Sequence, residues 1–177
     1  TELIATMIPE LVSGHLGSLI LFSSWRQMFR VTDMLPPEFA EKVLSQGSLS
    51  KSEIIAQHKD NVDSERNSVI FGLASFAEGI DLPGKYCSHV VIAKIPFAVP
   101  DDPVGATLSE WIEARGGNSF AEVMIPDATL RIVQACGRLL RTETDSGVIT
   151  ILDTRLVSKR YGSMILRALP PFRMELS

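Results

Sequence analysis

Four polar side chains within residues 127–141 could together bind an anion with several oxygens. In a helix of about 100° per residue they fall within roughly an 80° arc, opposite the apolar side chains. The four are Arg131, Gln134, Arg138 and Arg141. Each guanidinium can form paired, charge-assisted hydrogen bonds with an oxyanion, and Gly137 beside the arc would let a ligand or another backbone approach. The spacing therefore predicts a polyphosphate contact, although an amphipathic helix with an exposed basic face would show the same pattern.

A second group of candidate residues follows an apolar run at residues 68–72. Gly79 marks a sharp turn there, and Glu78 and Asp81 lie beside it. Functional loops in parallel α/β sheets follow the carboxyl ends of strands. Asp81 could therefore contact a nucleotide ribose or steady an arginine, with Glu78 tying the loop to the cleft. Without further information, the simpler interpretation is that both carboxylates cap a turn.

Hydroxyl groups end another apolar run. Ser23 and Ser24 follow it directly, where hydroxyls and free amides suit a phosphodiester, but either serine could instead cap a helix that begins near Trp25. Trp25, Phe97 and Trp111 could stack on nucleic-acid bases, although aromatic residues more often fill cores.

The elements that would position these residues are short apolar runs alternating with amphipathic segments. The predicted strands are residues 18–22, 42–45, 68–72, 88–95 and 147–152. Helices are predicted between most of them, and residues 1–15 have the spacing of a docking helix. Strands that are apolar on both faces and separated by helices imply a parallel sheet covered by helices on both sides. The predicted fold class is therefore α/β.

Three helix starts can be predicted from side-chain chemistry. Ser50 with Glu53, and Thr107 with Glu110, have the spacing of a capping box. Asp127 follows a proline and is a candidate N-cap for the helix that carries the arginines.

Composition limits the possible functions. The chain has 177 residues, of which 45% are hydrophobic, and this suits one domain over residues 1–177. A net charge of -4 argues against a surface that binds nucleic acid everywhere, so phosphate contacts must be local.

Cys87 and Cys136 are far apart and have no partners at metal-ligand spacing, so no metal site is expected. Every apolar run is shorter than the roughly 20 residues that span a bilayer, so we expect a cytoplasmic protein without a membrane contact.

Two nucleotide-binding motifs are missing from the sequence. It contains neither the Gly-x-x-x-x-Gly-Lys-Ser/Thr loop that holds phosphates nor an acidic box after a strand that would hold Mg²⁺. We therefore expect that the chain cannot bind Mg²⁺ and ATP by itself and contributes only part of a nucleotide site.

The quoted segments resemble the motifs of one family. Residues 134–141 (Gln-Ala-Cys-Gly-Arg-Leu-Leu-Arg) resemble motif VI of the DinG-type, XPD-related superfamily-2 DNA helicases. Residues 72–81 resemble motif V and residues 21–25 resemble motif IV, in the order of the family. The loop at residues 95–97 and the segment from 161 to 170 extend the similarity over nearly the whole chain. The resemblance implies the second RecA-like motor domain of an ATP-dependent helicase, inactive when alone.

In this family the motif VI arginines face the triphosphate that is bound to the first motor domain. The resemblance therefore implies that Arg138 and Arg141 supply charge to phosphoryl transfer, with Arg141 as the arginine finger, and that Gln134 senses the γ-phosphate. Arg131 lies outside the motif and would be a flanking residue. The implied nucleotide contacts of motif V are Glu78, Gly79 and Asp81. The implied DNA contacts are Ser23, Ser24, Ser75 and Phe76.

The resemblance also implies partners and cofactors. The expected substrate is single-stranded DNA and forked, D-loop or R-loop structures of repair or replication, followed in the 5′-to-3′ direction by a monomer. ATP and Mg²⁺ would be bound mainly by the N-terminal motor domain of the same protein, and a 4Fe-4S cluster would lie in that preceding part. Two alternatives stay open: the motor domain of a nuclease-fused relative, and a degenerate motor domain that serves as a protein-interaction module.

Overall fold

The computed structural model describes residues 1–98, 103–139 and 146–176. The chain packs into two compact units. The sheet unit comprises residues 1–94 and 134–152, and the helical unit comprises residues 95–133 and 153–177. A single motor domain over residues 1–177 stays a prediction.

A parallel sheet of five strands, counted over the described residues, forms the centre of the sheet unit. Its order is β2-β3-β1-β4-β5, with every neighbouring pair parallel. The strands are β1 (Gly17–Phe22), β2 (Val43–Ser45), β3 (Ser68–Leu73), β4 (His89–Ile92) and β5 (Val148–Ile151). Each of the five predicted runs contains one strand, so the predicted α/β class with a parallel sheet is confirmed.

The end of β4 differs from the prediction. The strand stops at Ile92, whereas the apolar run predicted a strand to residue 95. The physical reason is that the Ile95 N–H donates to a carboxylate oxygen of Asp153 at 2.9 Å, and so it is not available to a neighbouring strand.

Two helices cover one face of the sheet. They are α1 (Glu2–Leu11) and α2 (Trp25–Thr32), and a short helix α3 (Pro37–Ala40) follows them. Because alternate residues of a strand point to opposite faces, every second strand residue joins these helices in one apolar core. This core includes Ile4, Ile8, Ile20, Phe22, Met28, Val31, Val69, Phe71 and Val91. The helix predicted over residues 1–15 ends at Leu11, because the chain turns at Gly14, where φ is +84°.

The opposite face is covered by α4 (Lys51–Asp63), which buries Ile54, His58 and Val62. The predicted capping box at its start is confirmed: the Glu53 N–H donates to the Ser50 hydroxyl, and the Ser50 N–H donates to the Glu53 carboxylate at 2.9 Å. Hydrogen bonds from the Ser50 hydroxyl and backbone hold the pKa of Glu53 below its usual value. The start of α4 is therefore fixed where it approaches the carboxyl ends of β2 and β3.

Buried histidines lie at the amino ends of the strands. His58 shares hydrogen bonds with the Ser68 hydroxyl at 2.9 Å and the Tyr86 carbonyl at 2.7 Å. His89 shares one with the Thr150 hydroxyl at 2.9 Å. Burial lowers the pKa of both imidazoles, and for His89, which also lies beside the His15 ring, the pKa falls to about 4. Both rings are neutral hydrogen-bonding groups of the fold near pH 7.

The remaining helices begin at places that correct two predictions. They are α5 (Ala74–Ala77), α6 (Pro103–Ala114), α7 (Ile125–Leu139), α8 (Arg155–Ser158) and α9 (Arg160–Ala168). The predicted capping box of Thr107 and Glu110 is wrong, because α6 begins at Pro103, a residue whose fixed φ suits a first helical position. Asp127 is not an N-cap either, because a π-helical segment, Phe120–Met124, leads directly into α7 at Ile125.

An aromatic cluster and one ion pair organise the helical unit. Phe97, Phe120 and Tyr161 contact one another with ring centroids 5.3 to 5.8 Å apart. Asp153 is nearly buried and pairs with Arg155, whose Nη2 lies 2.6 Å from its carboxylate. Burial alone would raise the pKa of Asp153, but hydrogen bonds from Arg155 and the Ile95 N–H outweigh it and lower that pKa. The loop at residues 95–97 is thereby tied to the start of α8.

Candidate functional site

The motif VI residues of the sheet unit lie at the end of α7. Gln134 is exposed and Arg138 is half-buried. The Arg138 Nη1 donates to the Ile80 carbonyl at 3.2 Å, and the guanidinium forms no ion pair with a described residue. A guanidinium has five N–H donors, so this one bond orients Arg138 and leaves donors for an oxyanion. The Ile80 contact also joins motif VI to the segment that follows β3.

The other two arginines of the predicted arc differ from Arg138. Arg131 donates from Nε to the Asp127 carboxylate at 2.9 Å, one helical turn before it. Its charge is therefore partly balanced within α7, as expected for a flanking residue. Arg141, the predicted arginine finger, lies outside the described residues.

Residues 74–81, here called the motif V turn, follow the carboxyl end of β3. The chain reverses at Gly79, whose φ of +72° is in the left-handed region that favours glycine. Ser75, Glu78 and Asp81 are exposed on this turn. The predicted sharp turn at Gly79 is confirmed, and the contacts of Glu78 and Asp81 with a nucleotide stay predictions.

Phe76 is placed differently from the prediction that it would face DNA. Its side chain is only 7% exposed, and its ring packs on Gly72, where an added β-carbon would lie 2.6 Å from Cδ1 of the ring. Phe76 therefore supports the motif V turn from beneath, while Ser75 presents its hydroxyl at the surface. Gly72 is required here because any side chain would displace the ring.

Two residues that sequence reasoning missed hold the motif V turn in place. The Lys51 ammonium donates to the Glu78 carbonyl and lies 5.2 Å from the centroid of the Phe76 ring. The Gln46 side-chain oxygen accepts from the Leu73 N–H at 2.8 Å. Both residues come from elements far away in sequence, and no local pattern marks them. Lys51 follows directly after the capping-box serine, so only the fixed start of α4 hints at its position.

The motif IV serines lie between the carboxyl end of β1 and the start of α2. Ser24 is the N-cap of α2, and its hydroxyl accepts from the Gln27 N–H at 3.2 Å, so the capping interpretation is confirmed for this serine. The Ser23 hydroxyl donates to the Gln27 side-chain oxygen at 3.1 Å. Gln27 is 6% exposed, and its Nε2 has no partner among the described residues. A buried amide without an acceptor lies close to both serines.

Motifs IV, V and VI lie at one edge of the sheet. Lys51 and Arg138 bind the motif V turn, and Gln46 binds Leu73 at the end of β3. The parallel pairing of β1 with β3 places the motif IV serines at the same edge. An edge that presents hydroxyls, exposed carboxylates and a guanidinium with free donors can bind phosphate groups and the sugar hydroxyls between them.

The described residues form neither a metal-ligand cluster nor a membrane-spanning helix. Within the described ranges, no group of three or more His, Cys, Asp and Glu residues is arranged to hold a metal ion. Cys87 and Cys136 are buried and unbonded to each other, and burial raises the pKa of the Cys136 thiol to about 11. In the part of the chain that the structure describes, no helix has the length and apolarity that crossing a bilayer requires.

Comparison with known proteins identifies the class. The model of the helicase C-terminal domain family matches residues 9–172, and the chain belongs to this family. It is 43% identical over 177 residues to the ATP-dependent DNA helicase DinG of Photobacterium profundum, a match that covers 98% of the chain and 25% of that protein. It is 38% identical over 161 residues to the ATP-dependent DNA helicase DinG of Escherichia coli (strain K12), covering 91% of the chain and 22% of that protein.

Solved structures give the same fold. An XPD helicase structure matches 97% of the chain with a TM-score of 0.70, and an apo XPD structure matches 97% with a TM-score of 0.72. Both are 23% identical to the chain, which covers 31% and 35% of their lengths. The resemblance to DinG-type, XPD-related helicases and the RecA-like class are confirmed. The chain spans about a quarter of the length of the DinG relatives.

Proposed function

We propose that this chain is the second motor domain of an ATP-dependent DNA helicase of the DinG type. It would supply the motif V and motif VI residues of an ATP site shared with the N-terminal motor domain of the same protein, together with part of the single-stranded DNA track. The observation that supports this most strongly is the bond between Arg138 and the Ile80 carbonyl. It fixes a half-buried guanidinium next to the motif V turn, at the strand ends where α/β sheets bind nucleotides.

The proposed nucleotide chemistry depends on charge. ATP with Mg²⁺, bound mainly by the first motor domain, supplies the phosphoryl group that is transferred to water. The residues of this chain that would neutralise charge developing on the phosphate oxygens are Arg138 and Arg141, with Arg141 as the finger. Gln134 would hydrogen-bond near the γ-phosphate, and Glu78, Gly79 and Asp81 would border the ribose. Arg138 suits this task because one hydrogen bond orients its guanidinium, which forms no ion pair with a described residue.

The proposed DNA track runs along the motif IV and motif V residues. Ser23, Ser24 and Ser75 offer hydroxyls at adjacent strand ends. A phosphodiester oxygen would accept from the hydroxyls of Ser24 and Ser75, and from that of Ser23 once it turns away from Gln27. Phe76 would act through the turn that it supports. We further propose that the full-length protein acts on forked, D-loop or R-loop DNA and moves in the 5′-to-3′ direction. It would be a cytoplasmic monomer, with a 4Fe-4S cluster in the part of the protein that precedes this chain.

Substitution of Arg141 in the full-length protein tests the proposal. Arg141→Ala should lower DNA-stimulated ATP hydrolysis by about 10³- to 10⁵-fold while the affinity for single-stranded DNA stays near that of the unmodified protein. Arg131→Ala is the matched control, because Arg131 is paired with Asp127 on the same helix and should be nearly silent. A protein-interaction module would be indifferent to Arg141→Ala, and that outcome would reject the motor function.

A further inference from the structure

The outward face of α2 carries aromatic and basic residues in alternation. Trp25 and Phe29 lie one turn apart, with ring centroids 5.6 Å apart and an angle of 26° between the ring planes. Trp25 is 40% exposed and Phe29 is 51% exposed. Exposed rings that stack on each other bury little apolar surface, so packing within this chain does not explain why two aromatic residues lie there.

The Trp25 ring is held in place by a turn after β2. A β-carbon added at Gly47 would lie 3.3 Å from Cζ3 of Trp25 and 3.5 Å from Cη2. Gly47 itself has a φ of +92°, which favours glycine. Phe29 packs against one side of the indole and Gly47 lies near its edge. The Trp25 side chain would therefore lose little conformational entropy when a flat ligand stacks on it.

The same face carries positive charge. Arg26 and Arg30 are exposed next to the two rings, and neither forms an ion pair with a described residue, although Asp33 ends the helix. A face with two aromatic rings and two unpaired guanidiniums is complementary to a flexible polyanion whose units are flat rings. Trp25 also follows directly after Ser24, so this face continues the proposed phosphate contacts at the carboxyl end of β1.

We propose that Trp25 and Phe29 form a base-stacking platform for single-stranded DNA, with Arg26 and Arg30 binding the flanking phosphates. This inference rests on the proposed helicase function and deepens it, because it names the residues that would contact bases and backbone on α2. A base would stack on the free side of the indole while the neighbouring phosphates lie along the arginines.

Binding measurements on the full-length helicase test the platform. The probes are an oligothymidylate and an abasic strand of equal length and charge. Trp25→Ala should weaken oligothymidylate binding roughly 5- to 150-fold, the range for loss of one stacked base, and leave the abasic strand nearly unaffected. Trp25→Phe retains a stacking surface and should recover most of the affinity. The control is Leu3→Ala, because Leu3 is also an exposed apolar side chain of the sheet unit but lies on α1.

A second variant keeps the test valid if Trp25→Ala fails to fold. The double variant Arg26→Gln, Arg30→Gln changes only exposed side chains, and it should weaken the binding of both probes. The slope of log K against log salt concentration should become shallower by about 0.7 for each phosphate that is no longer neutralised. The proposal is overturned if Trp25→Ala binds oligothymidylate normally, if it weakens both probes equally, or if Leu3→Ala has the same effect. Unmodified protein whose ATP hydrolysis does not respond to DNA would instead reject the proposed function, so the two failures are distinguishable.

Discussion

Gly137 lies in motif VI, and the structure of this chain gives no reason for a glycine at that position. It is exposed within α7, its φ is outside the left-handed region, and an added β-carbon would meet no described atom within 4 Å beyond its own helix backbone. A glycine inside a helix costs about 0.5 to 1 kcal/mol relative to alanine. Gly137→Ala should therefore stabilise the chain by that amount. For a protein of this size, this raises the melting temperature by roughly 1 to 4 °C.

The assay is thermal unfolding of the 177-residue chain, followed by circular dichroism. The matched control is Gly162→Ala in α9, because a β-carbon there would overlap the Leu156 carbonyl, and overpacking of this kind costs about 1 to 3 kcal/mol. One helical glycine should therefore give a gain and the other a loss. A lower melting temperature for Gly137→Ala would refute the reasoning, since it would mean that the chain itself needs this glycine.

The same substitution has an opposite expected effect on activity. In the full-length protein, the added methyl group would stand where the proposed nucleotide or the first motor domain approaches α7. We expect a more stable enzyme whose DNA-stimulated ATP hydrolysis is at least about tenfold slower, a trade-off typical of functional sites. Unchanged hydrolysis would show that nothing approaches Gly137 closely.

Two further predictions concern the motif V turn and the buried histidines. Lys51→Met removes the ammonium that binds the Glu78 carbonyl, and the lost hydrogen bond contributes about 1 kcal/mol. Backbone amides of the motif V turn should therefore exchange hydrogen roughly fivefold faster. Lys59→Met, on the same helix, is the control and should not affect these amides. Because the pKa of His89 is lowered from 6.5 to about 4 mainly by burial, the unfolded chain binds a proton there first as the pH falls. Unfolding free energy should therefore decline between pH 6.5 and 4, by up to about 3 kcal/mol before solvent screening reduces it. His89→Gln should flatten this decline in urea titrations, and an unchanged pH dependence would contradict the assignment.

The sequence was sufficient for the sheet because its signals are local. Each strand is a short apolar run, and the Ser50 capping box satisfies amides within three residues. The end of β4 could not be predicted in the same way, because the Ile95 N–H is bound by Asp153, 58 residues later in the chain. The start of α7 was missed because the π-helical segment before it removes the need for an N-cap.

In the candidate site, too, the residues with a local sequence signal could be predicted and those that depend on distant contacts could not. Gly79 was recognisable because a left-handed turn favours glycine, and Arg138 because helical periodicity groups side chains on one face. Lys51 and Gln46 were not recognisable, because their role is a contact between distant elements. Phe76 was expected to be exposed because it lies within a motif. Its ring is buried beneath the turn instead, because Gly72 has no side chain to occupy that space.

The central claim is that the guanidinium of Arg138 faces a nucleotide held by a neighbouring domain. The most direct measurement is the maximal rate of DNA-stimulated ATP hydrolysis by the full-length protein carrying Arg138→Gln, with the affinities for ATP and single-stranded DNA determined in parallel. We predict a loss of about 100- to 1,000-fold in rate, as for removal of one preorganised donor, with both affinities changed little. A rate within a few fold of the unmodified protein would contradict the claim.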